Sequence, residues 1–169
     1  MGNRTFSTED KRFSVRFASA ADVPLIFVLI KELAEYEKML DEVVATEQLL
    51  REEIFEKQKA GVLIGEYDGE PVGFALFFYN FSTFLGRSGI YLEDIYIKPH
   101  MRSRGFGKIM LGLVAKIAIE RRCGRLELSC LDWNQPSIEF YLSLGAEAMS
   151  EWTVYRISGE SLTLLANGR

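Results

Sequence analysis

A chain of 169 residues, 48% of them apolar and 26% charged, has the makings of one globular domain that buries roughly 70% of its unfolded surface. Its 24 acidic and 20 basic residues give a formal charge of −4, which excludes the basic footprint of a nucleic-acid binder and leaves room for a cationic substrate. Two cysteines, Cys123 and Cys130, with the single histidine His100, support neither a disulfide framework nor a Cys/His zinc site, and the longest apolar run, Val23 to Ile30, is too short to span a bilayer. The expectation is a reducing, cytoplasmic setting with no metal, membrane or nucleic acid as partner. Met1-Gly2 is no acylation signal, because Phe6 stands where that motif needs serine or threonine.

Residues 1–12 are polar and unpatterned and read as a flexible arm before a single domain over 13–169. Phe13, Val15 and Phe17 alternate with polar residues as a half-buried strand does. Asp22 suits an N-cap with Pro24 in the first turn, and Ile26, Leu29, Ile30 and Leu33 recur at helical spacing to about Tyr36. A second helix is expected after Thr46 with Leu49, Leu50 and Ile54 turned inward. Val62 to Tyr67 and Val72 to Tyr79 flank Asp68-Gly69, whose two residues tolerate the left-handed backbone of a tight hairpin. Ile90 to Ile97 is a further strand.

A helix follows Gly107 with Met110, Leu111, Val114, Ile117 and Ala118 on its buried face, and Arg125 to Leu131 alternates again, which makes a strand–helix–strand unit with parallel strands. Asn134 suits the cap of a last helix, with Pro136 in its first turn, Ile138, Tyr141 and Leu142 facing in and Gly145 at its end. Thr153 to Ile157 is expected to close the sheet. The fold class is α/β: a mixed, mostly antiparallel sheet with one crossover, flanked by helices.

Between Pro99 and the central helix lies Arg102-Ser103-Arg104-Gly105-Phe106-Gly107. Glycines without Cβ atoms let backbone amides converge on one anion where a helix dipole turns positive. The same glycines also suit an ordinary solvated turn. A dinucleotide fingerprint needs a third glycine, where Lys108 and Met110 stand, and a Walker loop needs serine or threonine after Gly107-Lys108, where Ile109 stands.

The spacing Arg-x-x-Gly-x-Gly resembles the diphosphate loop of the GCN5-related N-acetyltransferase (GNAT) family, and the mixed sheet with one crossover is the acyl-CoA N-acyltransferase arrangement of that family. Three more segments resemble its diamine branch, the spermidine/spermine and thialysine N-acetyltransferases: Leu29-Ile30-Lys31-Glu32-Leu33-Ala34-Glu35-Tyr36-Glu37, Tyr91-Leu92-Glu93-Asp94, and Leu131-Asp132-Trp133-Asn134-Gln135 with Phe140-Tyr141. The resemblance implies acetyl-CoA as co-substrate. Its pantetheine arm would lie on the backbone of Ile95, Tyr96 and Ile97. Its diphosphate would lie on the loop from Arg102 through Ser103, Arg104, Gly105, Phe106 and Gly107 to Lys108, and its remainder against Asn134, Gln135, Pro136 and Ser137. It also implies Tyr141 as proton donor to the thioester sulfur, Glu93 as a base acting through water, Tyr36, Glu37, Asp94 and Glu151 around the substrate, and a homodimer.

The residues themselves allow this chemistry without demanding it. An ammonium with a pKa near 10.4 is neutral in only about one molecule in 2,500 at pH 7, so a base must take its proton. Glu93 and Asp94 are neighbours in an apolar strand, where successive side chains point to opposite faces, so at least one should meet a cavity or a charge; a strand end or bulge would let both reach water. Tyr141, one turn after Ile138, reads alone as a core tyrosine, yet a phenol near 10 can protonate a thiolate near 8.5 for about 2 kcal/mol. Cys130 fits a small buried hydrophobe, so direct transfer is simpler than an acyl-enzyme. Most of Glu32, Glu35, Glu37, Asp41 and Glu42 read as a solvated face, with Glu37 given to the substrate by the resemblance.

The segment Ser82-Thr83-Phe84 lacks the aspartate of the polyamine enzymes, and the chain before Trp152 is shorter than theirs. Fewer carboxylates favour short amines such as thialysine or lysine-like diamines over spermidine and spermine. A polyamine N-acetyltransferase and a non-catalytic acyl-CoA-binding sensor remain the alternatives.

Overall fold

Alternation at β2 and continuous apolar runs at β3 and β4 give six strands in one sheet, in the spatial order β1 (Thr5–Ser7), β2 (Phe13–Phe17), β3 (Gly61–Tyr67), β4 (Glu70–Ser82), β5 (Arg87–Ile97) and β6 (Leu126–Leu128). The computed structural model describes residues 4–168, which fall into two units, one up to Ser129 and one from Cys130 onward. The first unit holds the whole sheet with α1 (Val23–Tyr36), α2 (Glu47–Leu50, continued by π-helical turns over Arg51–Glu56) and α3 (Phe106–Glu120). The second holds α4 (Gln135–Ser143) and α5 (Gly159–Ala166). Among the described residues no helix is long and apolar enough to cross a membrane.

All neighbouring strands are antiparallel except β5 and β6, which are parallel and joined through α3. This is the one crossover expected from the sequence. At the hairpin between β3 and β4, Asp68 and Gly69 have φ of 51° and 83°, the left-handed pair that a two-residue turn demands. The period of two then sorts the core. Val62, Ile64, Phe74 and Tyr96 pack with Ile26, Leu29 and Leu33 of α1 on one face. On the other face a Cβ at Gly65 would stand 3.0 Å from the Met110 sulfur of α3, while Phe13 and Phe106 stack with ring centres 4.0 Å apart. Met110, Leu111, Val114, Ile117 and Ala118 are buried, as their spacing required.

Several expectations are corrected. From Thr5 onward the expected loose arm is not one: Thr5–Ser7 pairs with Ser14–Arg16, and Phe6 is buried against Phe17. A three-residue edge strand is too short to show a period, and residues 1–3 lie outside those described. Asp22 sits at the N-cap of α1 but spends its carboxylate on Arg16, at 2.8 and 2.9 Å, and on the Ser19 amide. Leu49 is exposed, because α2 turns Leu50 and Ile54 inward instead. The strand expected over Arg125 to Leu131 is paired only at Leu126–Leu128.

In the second unit Asn134 takes the N-cap position of α4, Pro136 its first turn, and Gly145, with φ of 87°, ends it. Leu142 is exposed. Thr153 to Ile157 forms no strand, since among the described residues no ladder is offered to it, and a β-rich segment becomes a strand only by pairing. The helix α5 was not expected.

Candidate active site

The pairing of β4 with β5 is regular except at one step. Leu76 lies opposite Asp94 and Phe77 opposite Leu92, so Glu93 has no partner and bulges out of β5. Removing one step of alternation puts Leu92 on the α3 face and Asp94, two residues before Tyr96, on the α1 face. It also frees two adjacent carboxylates from pointing to opposite sides. Glu93 becomes exposed while Asp94 stays half-buried. Burial, then the charge of Glu93, then that of Glu37, push the Asp94 carboxyl up to about 7.

Glu37 enters this group from the end of α1, whose C-cap it occupies. A carboxylate there opposes the helix dipole, and burial raises its pKa as well. Among the described residues none of Glu37, Glu93 and Asp94 is ion-paired with a lysine or arginine. Tyr36, the preceding residue, is half-buried. The fold therefore gathers Tyr36, Glu37, Glu93 and Asp94 into one neighbourhood, whose three carboxylates carry no ion pair among the described residues.

Beside this neighbourhood runs an open edge. The parallel ladder of β5 and β6 covers Ile90, Tyr91 and Leu92 and stops at the bulge. Among the described residues no strand pairs with that side of Glu93, Asp94, Ile95, Tyr96 or Ile97. Backbone amides and carbonyls there suit the two amide groups of a pantetheine arm.

The glycine loop lies past the end of the same strand. Gly105 is the N-cap of α3 with φ of 80°, no side chain caps the helix, and a Cβ built on Gly105 would meet no atom within 4 Å. The first-turn amides of Phe106, Gly107 and Lys108 are thus directed at an open cradle of the kind that holds a diphosphate. Ser103, Arg104 and Gly105 are exposed, Phe106 is buried as the hinge of the helix, and Lys108 is exposed. Arg104 rests over the Tyr67 ring at 5.3 Å. Arg102 departs from the rest: it is half-buried, with its Nε donating to the Ile97 carbonyl at 2.9 Å.

Tyr141, Asn134, Gln135, Pro136, Ser137 and Glu151 belong to the second unit. There Tyr141 lies in the last turn of α4 with its ring 5.2 Å from that of Phe140, and the Asn134 carbonyl accepts the amides of Ser137 and Ile138 at 3.0 Å. Glu151 is exposed beyond α4.

Sequence reasoning gave Glu93 the weight among the carboxylates and missed that Asp94 is the perturbed one. The signal was the acidic pair itself inside an apolar strand; what was hidden was the bulge that sorts the pair into one wet and one half-buried member. The resemblance placed Arg102 in the diphosphate loop, and nothing in the sequence marks the turn of its side chain toward the Ile97 carbonyl.

Residues 28–146 match the model of the Acetyltransferase (GNAT) family. The chain is 40% identical over 164 residues, 90% of this chain and 96% of the relative, to the thialysine N-epsilon-acetyltransferase of Bos taurus. It is 31% identical over 207 aligned positions, 95% of this chain and 88% of the relative, to the L-ornithine N5-acetyltransferase NATA1 of Arabidopsis thaliana. Among solved structures, an integron cassette protein from the mobile metagenome of V. cholerae superposes with a TM-score of 0.76 at 25% identity, covering 92% of this chain and 98% of that one. GNAT enzymes take acetyl-CoA as acetyl donor, and both the open cradle at Gly105 and the free edge of β5 fit it. With the match spanning the bulge, the loop and α4 alike, the chain belongs to the GNAT acetyltransferase family and is an amine N-acetyltransferase.

Proposed function

We propose that this enzyme moves the acetyl group of acetyl-CoA directly to the primary amine of a small lysine-like amino acid or diamine, with thialysine as the representative substrate. The observation that carries the reading is the cluster of Glu37, Glu93 and Asp94, half-buried in part and without a basic partner among the described residues. A substrate ammonium supplies the missing positive charge. Three carboxylates at one bulge suit a short molecule with one or two ammonium groups, and the non-acidic Ser82 leaves nothing further along β4 for a long polycation.

The co-substrate supplies a thioester carbon that an amine lone pair can attack. The protein's own part is to hold that amine, to take its proton and to return one to sulfur. The Glu93 and Asp94 pair accepts the proton, with Asp94 poised near neutrality and Glu93 connected to solvent. Tyr36 and Glu37 orient the second charged end, and Tyr141 serves as the acid for the departing thiolate. The amides of Ser103 to Lys108 hold the diphosphate. Glu151 is kept as a secondary substrate contact, and a homodimer, read by sedimentation velocity, is part of the same proposal.

The test is thiol release from acetyl-CoA against thialysine, lysine, ornithine, short diamines, spermidine and spermine at one salt concentration. Higher kcat/KM for the short amines is the expected result. Spermine as the best substrate assigns the chain to polyamine acetylation instead, and acetyl-CoA binding without release for any amine makes it a sensor.

A further inference from the structure

We propose that Arg102 is a positioning residue that braces the glycine loop against the end of α1, coupling the loop to the carboxylate cluster, and does not itself hold the diphosphate. The proposal rests on reading Ser103 to Lys108 as the diphosphate site and assigns Arg102 a different task.

Three contacts hold its side chain away from the cradle. Its Nε donates to the Ile97 carbonyl at 2.9 Å, five residues back along the chain. Its guanidinium carbon lies 4.5 Å from the centre of the Tyr36 ring and 5.6 Å from that of Tyr96. A guanidinium against two aromatic faces is a cation–π arrangement that a lysine does not reproduce. Arg104, by contrast, is exposed and rests on Tyr67 of β3, so the two arginines of the loop point to different parts of the sheet.

Both rings lead to the substrate side. Tyr36 immediately precedes Glu37, whose charge reaches Asp94, and Tyr96 follows Asp94 by two residues on β5 and packs against Ile26, Leu29 and Leu33 of α1. The loop side is equally constrained. Ser103, directly after Arg102, has φ of 61°, a conformation that a non-glycine residue keeps only when its neighbours fix it. Arg102 fixes it on one side and α3 on the other. Loosening Arg102 therefore relaxes the amides that must converge on an anion and, through Tyr36, the last turn of α1.

Amide hydrogen exchange of the ligand-free protein reads the brace directly. Arg102→Met raises exchange in Ser103 to Lys108 and in the last turn of α1 together, by roughly three- to ten-fold, the scale of one cation–π contact. Calorimetric titration with CoA reads its consequence. Arg102→Met and Tyr36→Leu each weaken CoA by about three- to ten-fold, and the double variant loses little more than the larger single one.

A Tyr36→Leu variant that binds CoA normally while Arg102→Met does not makes Arg102 a direct phosphate ligand and overturns the proposal. Unchanged exchange in Arg102→Met overturns it as well. Should Arg102→Met fail to fold, Arg102→Lys, which keeps the charge but not the stacked plane, decides with Tyr36→Leu in its place, and native exchange and CoA affinity in both overturn the proposal. Failure of the underlying diphosphate reading looks different: Gly105→Val then titrates with CoA like the native protein, and the coupling falls with it.

Discussion

Replacing Asp94 by asparagine should make the protein more stable, and only above mildly acidic pH. Folding brings this carboxyl from an ordinary value of 3.8 to about 7, chiefly through burial and then through Glu93 and Glu37. Between those two values the folded chain holds a proton that the unfolded chain has released, so unfolding free energy falls as pH rises through the window. The stability is fully present below about pH 4 and lost above about pH 7. The span corresponds to about 4 kcal/mol at 1.36 kcal/mol per tenfold, and water around a half-buried group leaves about 2 kcal/mol of it. Asp94→Asn removes the titration. Its advantage over the native protein should grow from near zero at about pH 4 to about 2 kcal/mol at about pH 8, roughly 4–8 °C in Tm for a chain of this length. Paired denaturant melts across that range measure the difference. Glu93→Gln, by deleting one repelling charge, should move the window toward lower pH. A difference that is flat with pH, or a native protein that gains on the variant as pH rises, refutes the reasoning.

Gly105→Val should lower CoA affinity at least tenfold while the domain stays folded. A Cβ there meets no protein atom within 4 Å and the left-handed backbone costs about 1–3 kcal/mol, so equal titration curves would make the loop an ordinary turn. Tyr141→Phe should reduce kcat by ~10² with CoA affinity kept, as for loss of a positioned acid, and an unchanged kcat would leave Tyr141 a packing residue. Gly73→Ala would place a Cβ 2.3 Å from the Tyr96 carbonyl and 2.6 Å from Ile97 Cδ1, on the strand beside the site. A loss of about 1–3 kcal/mol is expected in thermal melts, and a native Tm would show that β4 and β5 can part there without penalty.

The parts of this molecule that were legible in its sequence are those in which one residue suffices to settle the local backbone or the pattern repeats several times. The Asp68-Gly69 turn, the buried stripe of α3 from Met110 to Ala118 and the left-handed Gly105 at its cap are of this kind. Short or unrepeated features were not legible. The strand at Thr5–Ser7 is three residues long, and its burial of Phe6 depends on where β2 lies. Thr153 to Ile157 has the composition of a strand, but pairing is decided by partners distant in sequence. In the site, the acidic pair announced itself, while its division into exposed Glu93 and half-buried Asp94 follows from one skipped residue in the register of β4 and β5. The inward Arg102 depends on two rings, one 66 and one six residues away, that no spacing rule connects.

Among the described residues no strand pairs with β5 beyond Leu92 on the side away from β4, and such an edge is a hazard. A free strand edge is a template on which another chain can add itself, and proteins commonly disarm such edges with charges or with a kink in the backbone. Here the kink and the charges are Glu93 and Asp94 themselves. The residues proposed to grip an amine thus stand guard against self-association, and a variant that neutralises both should lose solubility as well.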